Sequence, residues 1–178
     1  ISEMGEMEAL QSIIRPTVGV LTNIGGAHQE NFYSVPDKCM EKLTLFKECD
    51  VVIYDGDNEL ISSCVGKSLF GAREIAWSKT DNERPLYISS IEKGETSTTI
   101  RYRYLGMPNE YTIPFIDDAS IENSLHCLAV CLYMMLPAEK ITERMAHLEP
   151  IAMRLEVKEG KNGCVLINDS YNSDLASL

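Results

Sequence analysis

Apolar residues recur at helical spacing in some stretches of this chain and run together in others. Met7, Leu10, Ile13 and Ile14 predict a helix over 6–14 that Arg15-Pro16 stops. Before it, Ile1 to Met4 reads as the tail of a strand, so the chain is expected to start inside a fold with its first strand cut. Thr17 to Leu21 is a β-branched run suited to a buried strand, and the glycine-containing loop Asn23 to His28 follows. Pro36 fits a first helical turn, and Asp37 to Lys47 predicts a helix that turns Met40, Leu43 and Phe46 inward. A strand at Val51 to Tyr54, a turn at Asp55-Gly56-Asp57, a helix near 58–69 and a strand at Glu74 to Trp77 continue the series.

This alternation predicts an α/β fold with a mostly parallel sheet flanked by helices. The segment 85–116 breaks the rhythm. Its strand-like runs, Leu86 to Ile91, Thr98 to Tyr104 and Glu110 to Phe115, are separated by Lys93-Gly94-Glu95 and Gly106-Met107-Pro108-Asn109, which predicts a small antiparallel meander. From Ile121 the spacing Ile121, Leu125, Leu128, Leu132, Met135 marks a helix, apolar on its other faces too, that should lie deep in the core with Asp118 or Ser120 as cap. A helix from Glu139 to Leu148 follows, between Pro137 and Pro150. Strands at Leu155 to Lys158 and Cys164 to Ile167 then flank Lys161-Asn162-Gly163. Residues 1–150 are expected to form one domain, and 151–178 to open another that this chain does not complete.

Charge narrows the partners. With 16 Lys and Arg against 27 Asp and Glu in 178 residues, the formal net charge is −11. Such a balance repels phosphate backbones and anionic lipid, and no basic run offsets it, so nucleic-acid binding has no electrostatic basis. The longest apolar run, Cys127 to Leu136, is about half the roughly 20 residues of a membrane-spanning helix. Six cysteines without a CxxC pair read as reduced, buried thiols in a cytoplasmic protein.

Ligands of open α/β sheets collect at the carboxyl ends of parallel strands. Three polar clusters are expected there: Glu3; Thr22, Asn23 and His28; and Asp169, Tyr171 and Asn172. A carboxylate and an imidazole brought together could hold a divalent cation, with Mg²⁺ drawing its remaining oxygens from water or phosphate. Lys42 could face the same space; its bland reading is a solvated helix lysine. Gly66-Lys67-Ser68 ends like a phosphate-binding loop, but Ile61 stands where that motif needs glycine, and the stretch reads as helix. In Arg101-Tyr102-Arg103-Tyr104, strand alternation separates the arginines from the tyrosines, which reads as an exposed edge of the meander. His126, Cys127 and Cys131 fit no zinc spacing and read as core, and the sequon Asn168-Asp169-Ser170 carries no meaning in a cytoplasmic protein.

These residues, taken in order, resemble the Mur ligases of peptidoglycan synthesis. The resemblance rests on Glu3-Met4-Gly5 before a helix, Thr22-Asn23-Ile24-Gly25, Ala27-His28 with Phe32, Lys42, Glu122-Asn123-Ser124-Leu125, Arg154-Leu155-Glu156-Val157 and Asp169-Ser170-Tyr171-Asn172. Tyr171-Asn172 favours the members that add D-alanyl-D-alanine to UDP-N-acetylmuramoyl-tripeptide; Asp174-Leu175 departs from their usual Asn-Pro. The resemblance implies ATP and Mg²⁺ as cofactors and an acyl phosphate intermediate. It implies that Glu3 and His28 help hold Mg²⁺, that Lys42 supports a metal as a carbamate, and that these three are the catalytic set. Asn123 would approach adenine, Arg154 the phosphates and Asp169 the ribose, with Asn172 in the same nucleotide-binding loop. It also implies a phosphate-binding loop and N-terminal domain upstream of Ile1 and most of a C-terminal domain downstream, so that residues 1–178 alone would bind ATP poorly and catalyse nothing. The rivals are other amide ligases of the superfamily, of the folylpolyglutamate or cyanophycin type, and a non-catalytic domain that kept the fold.

Overall fold

The computed structural model describes residues 1–26, 28–68, 71–149 and 156–168. The chain divides into two compact units, Ile1–His147 and Leu148–Leu178. The first is built on a six-stranded sheet in sequential order: β1 (Val18–Leu21), β2 (Val51–Asp55), β3 (Arg73–Ser78), β4 (Leu86–Lys93), β5 (Thr98–Tyr104) and β6 (Met107–Ile113). Strands β1 to β4 pair in parallel, and β4, β5 and β6 pair antiparallel. The sheet is thus mostly parallel with the expected meander appended.

Central strand β2 shows why the parallel part is buried on both faces. Val51 and Ile53 point into one core with Trp77, Ile121, Leu125, Leu128 and Ala129. Val52 and Tyr54 point into the other with Cys39, Leu43, Ile61, Cys64 and Val65. A strand covered on both sides loses the polar alternation of a half-exposed one, which is the pattern read at Val51 to Tyr54. Helices α2 (Val35–Thr44) and α3 (Glu59–Ser68) supply one cover; α4 (Asp118–Tyr133) and α5 (Ala138–Met145) supply the other, and α1 (Glu6–Ile14) packs on α2. In β1, a Cβ on Gly19 would stand 2.6 Å from Phe46 Cγ, so only glycine lets this ring lie flat on the strand.

Several expectations need correction. Ile1 and Ser2 carry no regular structure, and 3–5 form a turn, because Gly5 at φ 91° swings the chain straight into α1. Only Met7 and Gln11 of α1 are buried; Leu10, Ile14 and Ile13 (78% exposed) are not, since α1 touches α2 along a narrow stripe. In α2 the inward positions are Lys38, Cys39, Glu41 and Leu43, so Met40 faces out and buried charges replace it. The cap of α4 is Asp117, whose carboxylate accepts from Ser120 N at 2.8 Å. That helix buries one face only, leaving Cys127 exposed. The meander turns at Leu105-Gly106, both at positive φ, the backbone that a two-residue hairpin needs, so Pro108 stands inside β6. Because β6 is the last strand, its proline withholds no N–H that an outer neighbour requires. Strand β5 is therefore interior, with Arg101 on its exposed face between Glu92 and Glu110. The segment Gly66-Lys67-Ser68 is helical, as read.

In the second unit, β7 (Glu156–Glu159) and β8 (Val165–Asn168) form an antiparallel hairpin around Lys161–Gly163. Arg154, Asp169 and Asn172 lie outside the described residues.

Candidate functional site

The loop that leaves the carboxyl end of β1 is held from below by two lysines of α2. Lys38 Nζ donates to the Gly25 carbonyl at 2.7 Å, and Lys42 Nζ, one turn later, donates to the Asn23 carbonyl at 3.2 Å. Lys38, only 3% exposed, also lies 5.6 Å from the centre of the Phe32 ring. Burial first, and then the neighbouring Lys38 charge, pulls the Lys42 ammonium below its ordinary pKa. The loop closes through His28, whose φ of 59° places a non-glycine residue in the left-handed region at a cost of about 1 kcal/mol. His28 is exposed, and its side chain makes no hydrogen bond or ion pair among the described residues.

A second segment meets this loop. Asn31 Nδ2 donates to the Ser2 carbonyl at 2.8 Å, which ties the turn carrying Glu3 to the loop carrying His28. Glu6 accepts from Ser2 N at 2.7 Å; that bond, then the Glu3 N–H and the nearby His28, holds its carboxyl below the usual range. Helix α2 binds the same turn, because Glu41 Oε1 accepts from Gly5 N at 2.9 Å and Met7 N at 3.0 Å. The Glu3 side chain is exposed and makes no hydrogen bond or ion pair among the described residues. The segments bearing Glu3, His28 and Lys42 are therefore laced together through backbone groups, with no direct bond among the three side chains. No group of three His, Cys, Asp or Glu side chains able to hold a metal occurs among the described residues.

Helix α4 packs on the opposite face of the sheet. Asn123 is exposed on its second turn, and Glu122 is pushed up by burial and then by the charge of Asp55 at the end of β2. His126 is 3% exposed and stacks edge-on against Trp77 at 5.3 Å between ring centres. Its Nδ1 accepts from Trp77 Nε1 at 3.3 Å, which puts the proton of a neutral ring on Nε2. That Nε2 has no hydrogen-bond partner among the described residues. Burial pushes the imidazole pKa down, against an opposing pull from the Thr22 carbonyl. His126 is thus a core residue, as the sequence predicts.

The loops after β2 and β3 keep their polar groups to themselves. Asp57 accepts from Ser78 Oγ at 2.5 Å, Lys79 N at 2.6 Å and Thr80 Oγ1 at 2.7 Å. Against burial, which raises it, these three donors hold the Asp57 carboxyl below the usual range. Its oxygens are used up within the protein.

A family model described as the Mur ligase middle domain matches residues 1–131. The chain belongs to this family. Among curated Mur ligase relatives, the UDP-N-acetylmuramoyl-tripeptide--D-alanyl-D-alanine ligase of Bacillus subtilis is 29% identical over the whole chain, which spans 38% of that protein. Among solved structures, MurF from Acinetobacter baumannii superposes with a TM-score of 0.84 at 18% identity, over 99% of this chain and 39% of that one. MurF ligase from Thermotoga maritima, solved with ADP, superposes with a TM-score of 0.79 at 19% identity, over 99% and 40%. At these identities the structures establish the shared fold.

For a Mur ligase domain, the donors present fit Mg²⁺ in one particular way. Glu3 offers one uncommitted carboxylate, while the carbonyls of Asn23 and Gly25 are already taken by lysines. Such a set suits an ion that keeps water and phosphate oxygens in its shell rather than one caged by protein alone. A lysine with a depressed pKa, such as Lys42, also holds more of the free amine that reacts with CO₂ to give a carbamate. Sequence reading missed Glu41 and Lys38, which hold the backbone of the Glu3 turn and of the loop after β1. The available signal was Gly5, a helix start with no side-chain oxygen of its own to cap it.

Proposed function

We propose that the protein containing this chain is an ATP-dependent ligase that joins D-alanyl-D-alanine to UDP-N-acetylmuramoyl-tripeptide. In this reading, residues 1–150 are its central ATP-binding domain and 151–178 open its C-terminal domain, with the phosphate-binding loop and the UDP-binding domain elsewhere in the protein. The observation that carries it is the likeness of the whole chain to the Bacillus subtilis ligase of that name.

The reaction begins when a tripeptide carboxylate oxygen attacks the γ-phosphorus of ATP, and ADP departs. The amine of D-alanyl-D-alanine then adds to the acyl phosphate carbonyl; the tetrahedral adduct expels phosphate, the nitrogen loses a proton and the amide remains. The obstacle is repulsion between a carboxylate and a polyanion, so fixed positive charge must meet the developing oxygens. Glu3 and His28 would hold Mg²⁺, which when bound would supply part of that charge. Lys42 would add an oxygen ligand as a carbamate, or positive charge as an ammonium. Asn123, exposed on α4, would meet adenine. Arg154 for the phosphates and Asp169 and Asn172 for the ribose side follow the family pattern alone. These substrates imply a cytoplasmic enzyme.

The test is ADP release by the full-length protein. It is expected only when ATP, Mg²⁺, the UDP-linked tripeptide and D-alanyl-D-alanine are all present, with one phosphate and one amide formed per ADP. Turnover with a folate and glutamate instead would overturn the reading in favour of a folylpolyglutamate-type ligase. Residues 1–178 alone are expected to release no ADP.

A further inference from the structure

The first N–H groups of a helix have no acceptor within it, and a polar residue just before the helix normally supplies one. Helix α1 has none, because Gly5 occupies that place. The acceptor comes instead from Glu41, 36 positions away from Gly5 in sequence and 6% exposed. A local serine or aspartate would cap α1 without burying a carboxylate, and burial of a charge costs desolvation that the hydrogen bonds must offset. What the distant cap adds is register: it fixes the start of α1 to one turn of α2. Glu3 lies two residues before Gly5, and Lys42 follows Glu41. Two residues of chain reach at most about 7 Å, so the hold on Gly5 N limits where Glu3 can stand relative to Lys42. Lys38 does the same for the other loop through Gly25, and Asn31 joins the two segments at Ser2.

We propose that Glu41 is a positioning residue, which sets the place of the Glu3 carboxylate and thereby the affinity of the site for its divalent cation. This rests on the ligase reading only in taking Glu3 as a cation ligand. Mg²⁺ and Mn²⁺ tolerate little distortion of their ligand shell, so a carboxylate displaced by a fraction of its bond length is felt as lost affinity.

The experiment uses full-length protein with a non-hydrolysable ATP analogue, and reads Mn²⁺ binding by electron paramagnetic resonance and amide hydrogen exchange at Gly5 and Met7. Glu41→Gln keeps the acceptor oxygen and is expected to bind Mn²⁺ within about threefold of the wild type, whereas Glu41→Ala is expected to weaken binding about tenfold. Exchange at both amides should quicken in Glu41→Ala alone. Glu3→Ala should weaken Mn²⁺ binding by a similar factor, and the double variant Glu3→Ala/Glu41→Ala should bind no worse than Glu3→Ala. Faster exchange with unchanged Mn²⁺ affinity in Glu41→Ala, or losses that multiply in the double variant, would overturn the proposal. Should Glu41→Ala not fold, Glu41→Asp replaces it: weaker binding than Glu41→Gln supports the proposal, and equal binding overturns it. A wild-type protein that binds Mn²⁺ with nucleotide yet ligates nothing would count against the ligase reading and leave the Glu41 result standing.

Discussion

The loop after β1 and the loops after β2 and β3 leave the same end of the parallel sheet, yet they deploy their polar groups in opposite ways. Around Asp57 every oxygen is consumed by Ser78, Thr80 and the Lys79 N–H, and the side chains serve the fold. After β1 the direction is reversed: buried charges of α2 take up backbone carbonyls and N–H groups, and the side chains of Glu3 and His28 are left unengaged. A carboxylate at a strand end is therefore a weak sign of a ligand site by itself. The stronger sign is a carboxylate whose backbone is pinned and whose oxygens are free, the arrangement that pre-organises a site without filling it.

The contrast breaks most sharply at Lys42 and His28. On the ligase reading, Lys42→Ala and His28→Ala in the full-length protein are each expected to lower turnover by about 100-fold or more, since each would remove charge or a ligand from the transition state. Urea unfolding should move by no more than about 1 kcal/mol for either variant, because neither side chain supports the core. Asp57→Ala should do the reverse. It leaves Ser78, Thr80 and the Lys79 N–H without their acceptor, with an expected loss of about 1–2 kcal/mol in urea, reduced by solvent access, and turnover within about twofold. Steady-state kinetics of the two sets, measured side by side, decide whether the loops differ as stated.

A smaller effect sharpens the comparison from beneath the β1 loop. His126 has a folded pKa below its unfolded value, so between the two values the unfolded chain binds a proton that the folded one refuses. Stability on its account is full above the ordinary imidazole pKa of about 6.5 and falls as the solution becomes more acid. His126→Leu should lose about 1–2 kcal/mol at pH 7 by stranding Trp77 Nε1, but should flatten the decline between about pH 6.5 and 5. Parallel urea curves at the two pH values check the slope.

Which parts of this arrangement could be read from sequence follows from how local their causes are. Strand β2 was legible because burial on both faces leaves an unbroken apolar run, and the meander because its strands lack a helical period. The inward face of α2 was not, since the rule that apolar residues point in fails where buried Lys38 and Glu41 find backbone partners in segments distant along the chain. The same non-locality hid the cap of α1. Near the proposed site, the backbone ties made by Lys38 and Glu41 are equally illegible, because each looks like an ordinary helix charge.

The most direct test of the account is the anomalous difference map of crystals of the full-length protein grown with Mn²⁺ and an ATP analogue. The account predicts a peak at bonding distance, about 2.1 Å, from a Glu3 carboxylate oxygen and bordered by His28 and Lys42. A peak at Asp55 and Asp57 instead, with Glu3 left in solvent, would contradict it.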